Sequence, residues 1–391
     1  MRTRDLTGDN TQVVNVPTTE RPRVNQNMKM KVHDLEVWYG EKQALHGVSM
    51  DVVENEVTAL IGPSGCGKST FLRCLNRMND LIPDVRIKGE VEFENQNIYA
   101  PEVDVVELRS HIGMVFQYPV IYRGTTVSRN LELPLIAAKM DSAARKKRIN
   151  EMAEIIGLTD VLEANVDRLD NAGRQKVAVA REVARQPEVL LFDEPITNVD
   201  LTSKLELKRS LKQLFTELRQ TIIYVTHDQT EAMSLADRIA LMNTGRIVQL
   251  DAPRVVYDRP DDVFAGWFLG SPGMNFMRTG FVVEGSSLHS PLLASPIPVG
   301  AEAQHATTMG IRPEQLTASL EEQPDHVRAE IVDKAITIGG RMLLGVKVQD
   351  LEIKAVVEHD TGKNASSSIW IKLPRENLHL FDAHDRKIEA G

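Results

Sequence analysis

The nine residues GPSGCGKST (62–70) restrict the fold of this chain more than any other stretch. Gly62, Gly65 and Gly67 allow a backbone to curl until several N–H groups face one anion. The apolar run EVTALIG (56–62) reads as a strand entering the loop. STFLRCLNRM (69–78) reads as a helix leaving it, with Phe71, Leu72, Leu75 and Met78 on one face. In the order strand, loop, helix, the helix N-terminus adds its partial positive charge to the loop. Lys68 is then placed to reach β- and γ-phosphates, and the Ser69 hydroxyl to ligate Mg²⁺. Pro63, Ser64 and Thr70 complete the loop. Cys66 reads as a small loop residue, because no neighbouring histidine supports a nucleophile.

A second acidic feature complements the loop. VLLFDE (189–194) is a short apolar strand ending in Asp193, suited to hold the Mg²⁺ shell, and Glu194, a candidate base for an attacking water. His227 closes another apolar strand, IIYVTH (222–227), and Gln117 ends MVFQ (114–117). Ligands of open α/β sheets bind at the carboxyl ends of strands, which is where these residues fall. The helical pattern at 203–219 lies between two strands that read as buried and parallel, and IALMNTGRIVQL (239–250) reads as a hairpin turning at 243–245. A charged helix is expected over 141–157, its basic cluster a solvated face. The class is therefore α/β.

Composition narrows the partners. With a net charge of −9 and a pI near 5.7, the chain is not a nucleic-acid binder that relies on bulk positive charge. No apolar run approaches the ~20 residues that span a bilayer, so membrane association is expected to come from a partner. Two cysteines, Cys66 and Cys74, suit a reducing compartment and give neither a disulfide framework nor a metal pattern. Residues 1–29 are polar and aperiodic, lack a secretory apolar region, and read as a mobile extension. Past residue 270, short apolar runs broken by Gly, Pro and Ser suggest a separate β-rich module.

Taken in order, these motifs resemble those of the ATP-binding subunits of ABC transporters. Tyr39 in VWYG (37–40) is similar to the aromatic that stacks on adenine, residues 62–70 to Walker A, and Gln117 to the Q-loop glutamine that senses Mg²⁺ and the membrane partner. Residues 189–193 resemble Walker B, Glu194 the catalytic glutamate, Asp200 in TNVD (197–200) the D-loop, and His227 the switch histidine that contacts the γ-phosphate. The resemblance implies a P-loop NTPase cassette over 30–270, a RecA-like core with a helical subdomain at about 120–180. An all-β, OB/TOBE-like regulatory domain is implied over 271–391. GIRPEQL (310–316), LHLFD (378–382), residues 225–253 and FLGSPGMNF (268–276) resemble importers of carbohydrates and polyols, including glycerol and glycerol phosphate. The stretch 62–91 instead resembles phosphate-import ATPases, which lack such a C-terminal domain. Sugar or polyol uptake is the expectation and phosphate import the alternative.

The same resemblance implies ATP and Mg²⁺, with Ser69, Gln117 and Asp193 at the metal. It also implies integral-membrane permease subunits, a second ATPase subunit, an extracytoplasmic solute-binding protein acting indirectly, and a place on the cytoplasmic face of the membrane. A non-transport ABC ATPase fits less well, since neither tandem cassettes nor a coiled-coil insertion is visible.

One loop departs from the family. The helix-like run RQKVAVAR (174–181) fixes the register of the preceding LDNAG (169–173) against the usual Leu-Ser-Gly-Gly-Gln signature. Asp170 takes the Ser position, Asn171 and Ala172 the Gly positions, and Gly173 the Gln position. In the family this loop caps the γ-phosphate bound by the opposite subunit. An ionised Asp170 facing that phosphate would be repelled by about 4 kcal/mol at ~4 Å with an effective dielectric near 20. Asp is also a favoured N-cap, so Asp170 can equally turn back onto its own helix. A homodimer would contain two altered loops, so the expectation is an ATPase that works best beside a subunit with an intact signature. A regulatory subunit of low turnover is the alternative.

Overall fold

The structure is a computed structural model and describes residues 27–197, 199–337 and 339–388. The chain opens with an antiparallel hairpin, β1 (Met28–Tyr39) and β2 (Lys42–Val53). It then enters the buried strand β3 (Val57–Ile61) and helix α1 (Lys68–Cys74). Strands β4 (Val85–Phe93) and β5 (Gln96–Asn97) return to the hairpin, completing an antiparallel sheet ordered β2-β1-β4-β5. Helix α2 (Val105–His111) leads to β6 (Ile112–Val115), followed by three helices, α3 (Val127–Ala137), α4 (Ser142–Ile156) and α5 (Asn171–Ala184). Next come β7 (Val189–Asp193), α6 (Leu201–Leu218), β8 (Thr221–Val225) and α7 (Gln229–Leu235). The hairpin β9 (Arg238–Asn243) and β10 (Arg246–Asp251) follows, then α8 (Pro253–Asp258) and α9 (Val263–Phe268).

Six strands form the central sheet in the order β10-β9-β3-β8-β7-β6, parallel except for β10 at one edge. Every residue of β3, β6, β7 and β8 is buried, as parallel strands covered on both faces require. Alternate side chains serve opposite layers. Leu191, Ile223 and Val225 pack with α1 and the antiparallel sheet, whereas Leu190, Phe192, Ile222 and Tyr224 pack under α3, α4 and α5. Those three helices occupy the stretch where a helical subdomain is expected.

Side-chain oxygens start most of the helices. Asp104, Thr126, Asp141, Asp170, Asp200, Asp228 and Asp262 each accept a hydrogen bond from a first-turn N–H. Helix α4 begins after Asp141 and ends on Gly157 at φ 74°, the bounds its sequence predicts.

Two expectations need correction. The extension expected over 1–29 lies outside the described residues up to 26. Met28 and Lys29, assigned to it, belong to β1, with Met28 opposite Val53. The helix expected through Met78 stops at Cys74. Arg77 takes a left-handed φ of 60°, and 78–81 re-forms as a separate 3-10 turn. Phe71, Leu72 and Leu75 are fully buried as the pattern predicts, and Met78 is only partly covered.

Beyond residue 274 the chain is built from antiparallel β-structure, of the OB/TOBE-like kind. One sheet joins 275–277, 308–311, 379–381 and 387–388, and a small one joins 282–284, 287–289 and 297–298. A five-stranded sheet joins 317–319, 368–372, 327–336, 342–348 and 351–357. Among the described residues one short α-helix, His359–Asn364, and three 3-10 turns at 301–305, 313–315 and 375–377 interrupt the otherwise all-β plan. This module has its own apolar core, centred on residues such as Leu344, Val346, Ile369 and Ile371.

Candidate active site

The glycine loop turns between β3 and α1 at the carboxyl edge of the central sheet. Gly62 adopts φ 153° and Gly67 φ 107°. A Cβ on Gly62 would lie 2.1 Å from the Met242 carbonyl oxygen, and one on Gly67 would lie 2.8 Å from Leu45. The loop can therefore sit against β9 and β2 only with glycine at both positions. Helix α1 starts at Gly67 without a side-chain cap, so its first-turn N–H groups are left to face an anion.

A cavity of about 430 Å³ opens beside this loop. Ser64, Gly65, Gly67, Lys68, Ser69 and Thr70 form one wall, with Tyr39 and Glu194 beside them. Lys68 is buried, and its ammonium donates to the carbonyls of Gly62 (2.9 Å) and Pro63 (3.0 Å), lying folded along the loop. The Tyr39 hydroxyl donates to Asn79 Oδ1 (3.0 Å) and lies 3.3 Å from the Thr70 hydroxyl, fixing the ring at the cavity wall. Burial pushes both the Tyr39 phenol and the Cys66 thiol above their usual ranges. Cys66, buried and held as a neutral thiol, is a packing residue.

The acidic strand end meets the loop directly. Ser69 Oγ donates to Asp193 Oδ1 at 2.6 Å, and Arg73 Nη2 pairs with Asp193 Oδ2 at 3.1 Å. The Ser69 hydroxyl and Asp193 carboxylate are hard oxygen donors of the kind Mg²⁺ takes. Glu194 follows in a left-handed conformation, φ 46°, pinned by its N–H to the Val225 carbonyl (3.1 Å). This turns its carboxylate toward the cavity. Glu194 Oε2 accepts from Thr197 Oγ1 (3.1 Å) and lies 3.3 Å from His227 Nδ1.

Helices α6 and α7 steady that histidine. Asp228 caps α7 and binds Lys204, one turn into the helix that Asp200 caps through the Ser203 N–H. Burial alone would raise the Asp228 carboxyl, but hydrogen bonds from Thr230 and Lys204 hold it well below the usual carboxylate range.

The remaining predicted residues stand apart from the cavity. Gln117 lies two positions beyond the end of β6, on the same sheet edge, but does not line the cavity. The segment carrying it is tied to α5, because the buried Gln175 donates Nε2 to the Phe116 carbonyl (2.9 Å). In the 170–173 loop, Asp170 Oδ1 accepts the Gly173 N–H at 2.7 Å, so the carboxylate caps its own helix. Of the two orientations open to Asp170, this is the one found.

Sequence reasoning missed part of the wall. Lys42, Gln43, Ala44 and His46 of β2 and Thr244-Gly245 of the β9–β10 turn also line the cavity. Gly245 joins these pieces. Its N–H donates to Cys66 O (2.9 Å), and its carbonyl accepts from the His46 N–H (2.9 Å). The turn signal NTG was legible, but nothing local to it announces that it abuts the loop near residue 66. Arg73 was missed as well, although it lies on the helix that the motif starts.

Comparison with known proteins places this geometry in a group. A family model described as ABC transporter matches residues 45–197. The chain is 35% identical over 360 residues to the sn-glycerol-3-phosphate import ATP-binding protein UgpC 2 of Agrobacterium fabrum, covering 90% of this chain and 92% of that protein. It is 34% identical to UgpC of Paraburkholderia xenovorans, over 88% of this chain and 94% of that one. An uncharacterized ABC transporter ATP-binding protein of Sinorhizobium fredii, y4oS, is 34% identical over 96% of this chain and 99% of its own. Among solved structures, cbiO1 of Clostridium perfringens, part of the ABC transporter complex cbiONQ, superposes with a TM-score of 0.52 and 28% identity. That match covers 59% of this chain and 91% of cbiO1.

Proposed function

The chain belongs to the ATP-binding proteins of ABC transporters, and from that premise we propose that it drives an importer of glycerol phosphate or a related polyol or sugar. As a member of this family it is an ATPase. The convergence of Lys68, Ser69, Thr70 and Glu194 on one cavity, with Asp193 and His227 bonded to its walls, carries the proposal. The solute class rests on relatives that align through the C-terminal module as well as the cassette. Their names favour glycerol phosphate over the phosphate-import alternative.

In this mechanism the glycine-loop N–H groups and α1 hold the phosphates, and Lys68 leaves the Gly62 and Pro63 carbonyls to reach them. The Tyr39 ring, anchored through its hydroxyl, offers its face to adenine. Ser69 and Asp193 would hold Mg²⁺, which supplies charge neutralisation at the β- and γ-phosphates. Glu194 accepts the proton of the attacking water, and His227 positions that carboxylate while presenting its other edge toward the γ-phosphate. Gln117 would join the site through movement of its segment when a permease docks.

The loop at 170–173 would complete the site of a second ATPase subunit. With Asp170 turned back, the Gly173 N–H is already used and is not offered across that interface. This supports pairing with a subunit whose signature is Ser-Gly-Gly. Permease subunits and an extracytoplasmic binding protein would complete the assembly, with this chain on the cytoplasmic face. Among the described residues no helix is long and apolar enough to cross a membrane.

Uptake of labelled glycerol 3-phosphate in cells whose only copy is Glu194→Gln tests the proposal. Uptake should be lost while the variant protein accumulates normally. Unchanged uptake of glycerol 3-phosphate and of maltose alike would refute the driving role. Loss of maltose uptake with glycerol phosphate uptake intact would move the solute to a sugar.

A further inference from the structure

A second polar cavity, of about 460 Å³, lies where α8 of the cassette meets the C-terminal β-module. Arg254 and Asp258 of α8 and the adjoining Arg259 face His379, Lys387 and the exposed Glu376 across it. The backbone elements that bring them together are distant in sequence, so no local motif announces the site.

The charges are unevenly satisfied. Arg254 and Asp258 pair with each other at 3.2 Å, as neighbours one helical turn apart. The side chains of Arg259 and Lys387 make no hydrogen bond or ion pair among the described residues. Asp261 is near enough to act on Lys387 through space, and Glu376 lies on the outer rim. His379 is more than nine-tenths buried, yet its ring has no hydrogen-bond partner among the described residues. Gln315, on the same wall, carries a buried Oε1 without a partner, which a half-turn of the amide exchanges for a donor. Buried polar groups are ordinarily satisfied, so the unpartnered Gln315 Oε1 and the unpaired ring of the buried His379, beside the exposed Arg259 and the half-buried Lys387, mark a place for a ligand.

We propose that this junction cavity binds a small phosphate group, inorganic or as a monoester, held by Arg259 and Lys387 with His379 and Gln315 donating from its floor. The ligand chemistry follows from the donors. Two cations on separate elements, a guanidinium and an ammonium, with neutral donors between them, match the several acceptor oxygens of a tetrahedral dianion. Only Leu378 and Ile388 contribute apolar side chains to the lining, so the ligand is hydrophilic. The site does not depend on the identity of the transported solute.

The state of His379 agrees with this. Burial, together with Lys387, Arg312 and Arg259, holds its pKa down at about 4, leaving it neutral near pH 7 with one N–H to donate. The same burial and cations define the field a bound anion would enter. An anion beside it offsets those cations and raises its titration midpoint.

The test is calorimetric titration of the full chain with inorganic phosphate, and separately with glycerol 3-phosphate, while ADP and Mg²⁺ saturate the glycine loop. Arg259→Gln and Lys387→Gln serve as variants, since neither side chain has a hydrogen bond or close ion pair to lose among the described residues. Saturable binding that weakens about tenfold or more in each variant is expected, together with an upward shift of the His379 titration followed by NMR. The tighter of the two ligands identifies the source of the phosphate. Absence of saturable binding for both ligands, or wild-type affinity retained in both variants, would overturn the site.

Discussion

Asp193 is held from two sides, by the Ser69 hydroxyl and the Arg73 guanidinium. Both contacts fix a nearly buried carboxylate against Ser69, a residue of the cavity wall, and Arg73 does so from outside the motif. Charge-assisted bonds of this kind contribute about 1.5–3 kcal/mol, discounted here because Arg73 is 41% exposed. Arg73→Ala should therefore raise the Mg²⁺ concentration needed for half-maximal hydrolysis by roughly tenfold or less, with protein stability little changed. An unaltered Mg²⁺ dependence would make Arg73 a bystander. Asp170 makes a different prediction. As a helix cap, its replacement by Ala should cost about 1 kcal/mol, and by Ser only a few tenths. Chemical denaturation of the two variants measures this difference. Equal losses would deny the cap.

At the scale of elements, the turn between β9 and β10 carries as much of the site as the motifs do. Gly245 has φ 74°, and a Cβ there would lie 2.5 Å from Ala44 O and 2.7 Å from His46. Gly245→Ala should cost about 1–3 kcal/mol through backbone strain alone, and it should weaken ATP binding because β2 and the glycine loop are both bonded to this residue. Nucleotide titration and thermal unfolding of the variant check both effects. The contrast with α4 shows what the sequence can convey. The ends of α4 are written locally, in Asp141 and Gly157, and so are the Ser69-Asp193 chemistry and the buried parallel strands. The walls contributed by Lys42, Ala44, His46 and Gly245 come from pairings across the fold, where spacing carries no signal. Helix α1 was overextended for a related reason. The apolar pattern continued through Met78, while the backbone turned at Arg77 to let Asn79 reach Thr70 O and Tyr39.

Across the whole molecule, one buried arginine joins the two modules. Arg312 donates to the Tyr257 carbonyl (2.6 and 2.8 Å) and to the Leu269 carbonyl (2.5 Å), and its guanidinium stacks 3.7 Å from the Tyr257 ring centroid. The side chain of Gln229, two residues after His227, bonds Phe268 O and the Gly270 N–H on either side of that same segment. The contact chain from the β-module to the segment carrying His227 is thus short and polar. Removing Arg312 leaves the Tyr257 and Leu269 carbonyls without these donors, at a cost of about 1–3 kcal/mol for each buried acceptor left unpaired. Arg312→Met should increase hydrogen exchange across 257–270 and lower ATP turnover. Unchanged exchange there would contradict the clamp. The proposed function requires one cavity both to bind ATP and to break it. The most direct measurement pairs ATP affinity with steady-state hydrolysis in the wild-type chain and in Glu194→Gln. The prediction is unchanged affinity with turnover reduced at least a hundredfold, as for loss of a general base worth about 10²–10⁴; undiminished turnover in the variant would contradict it.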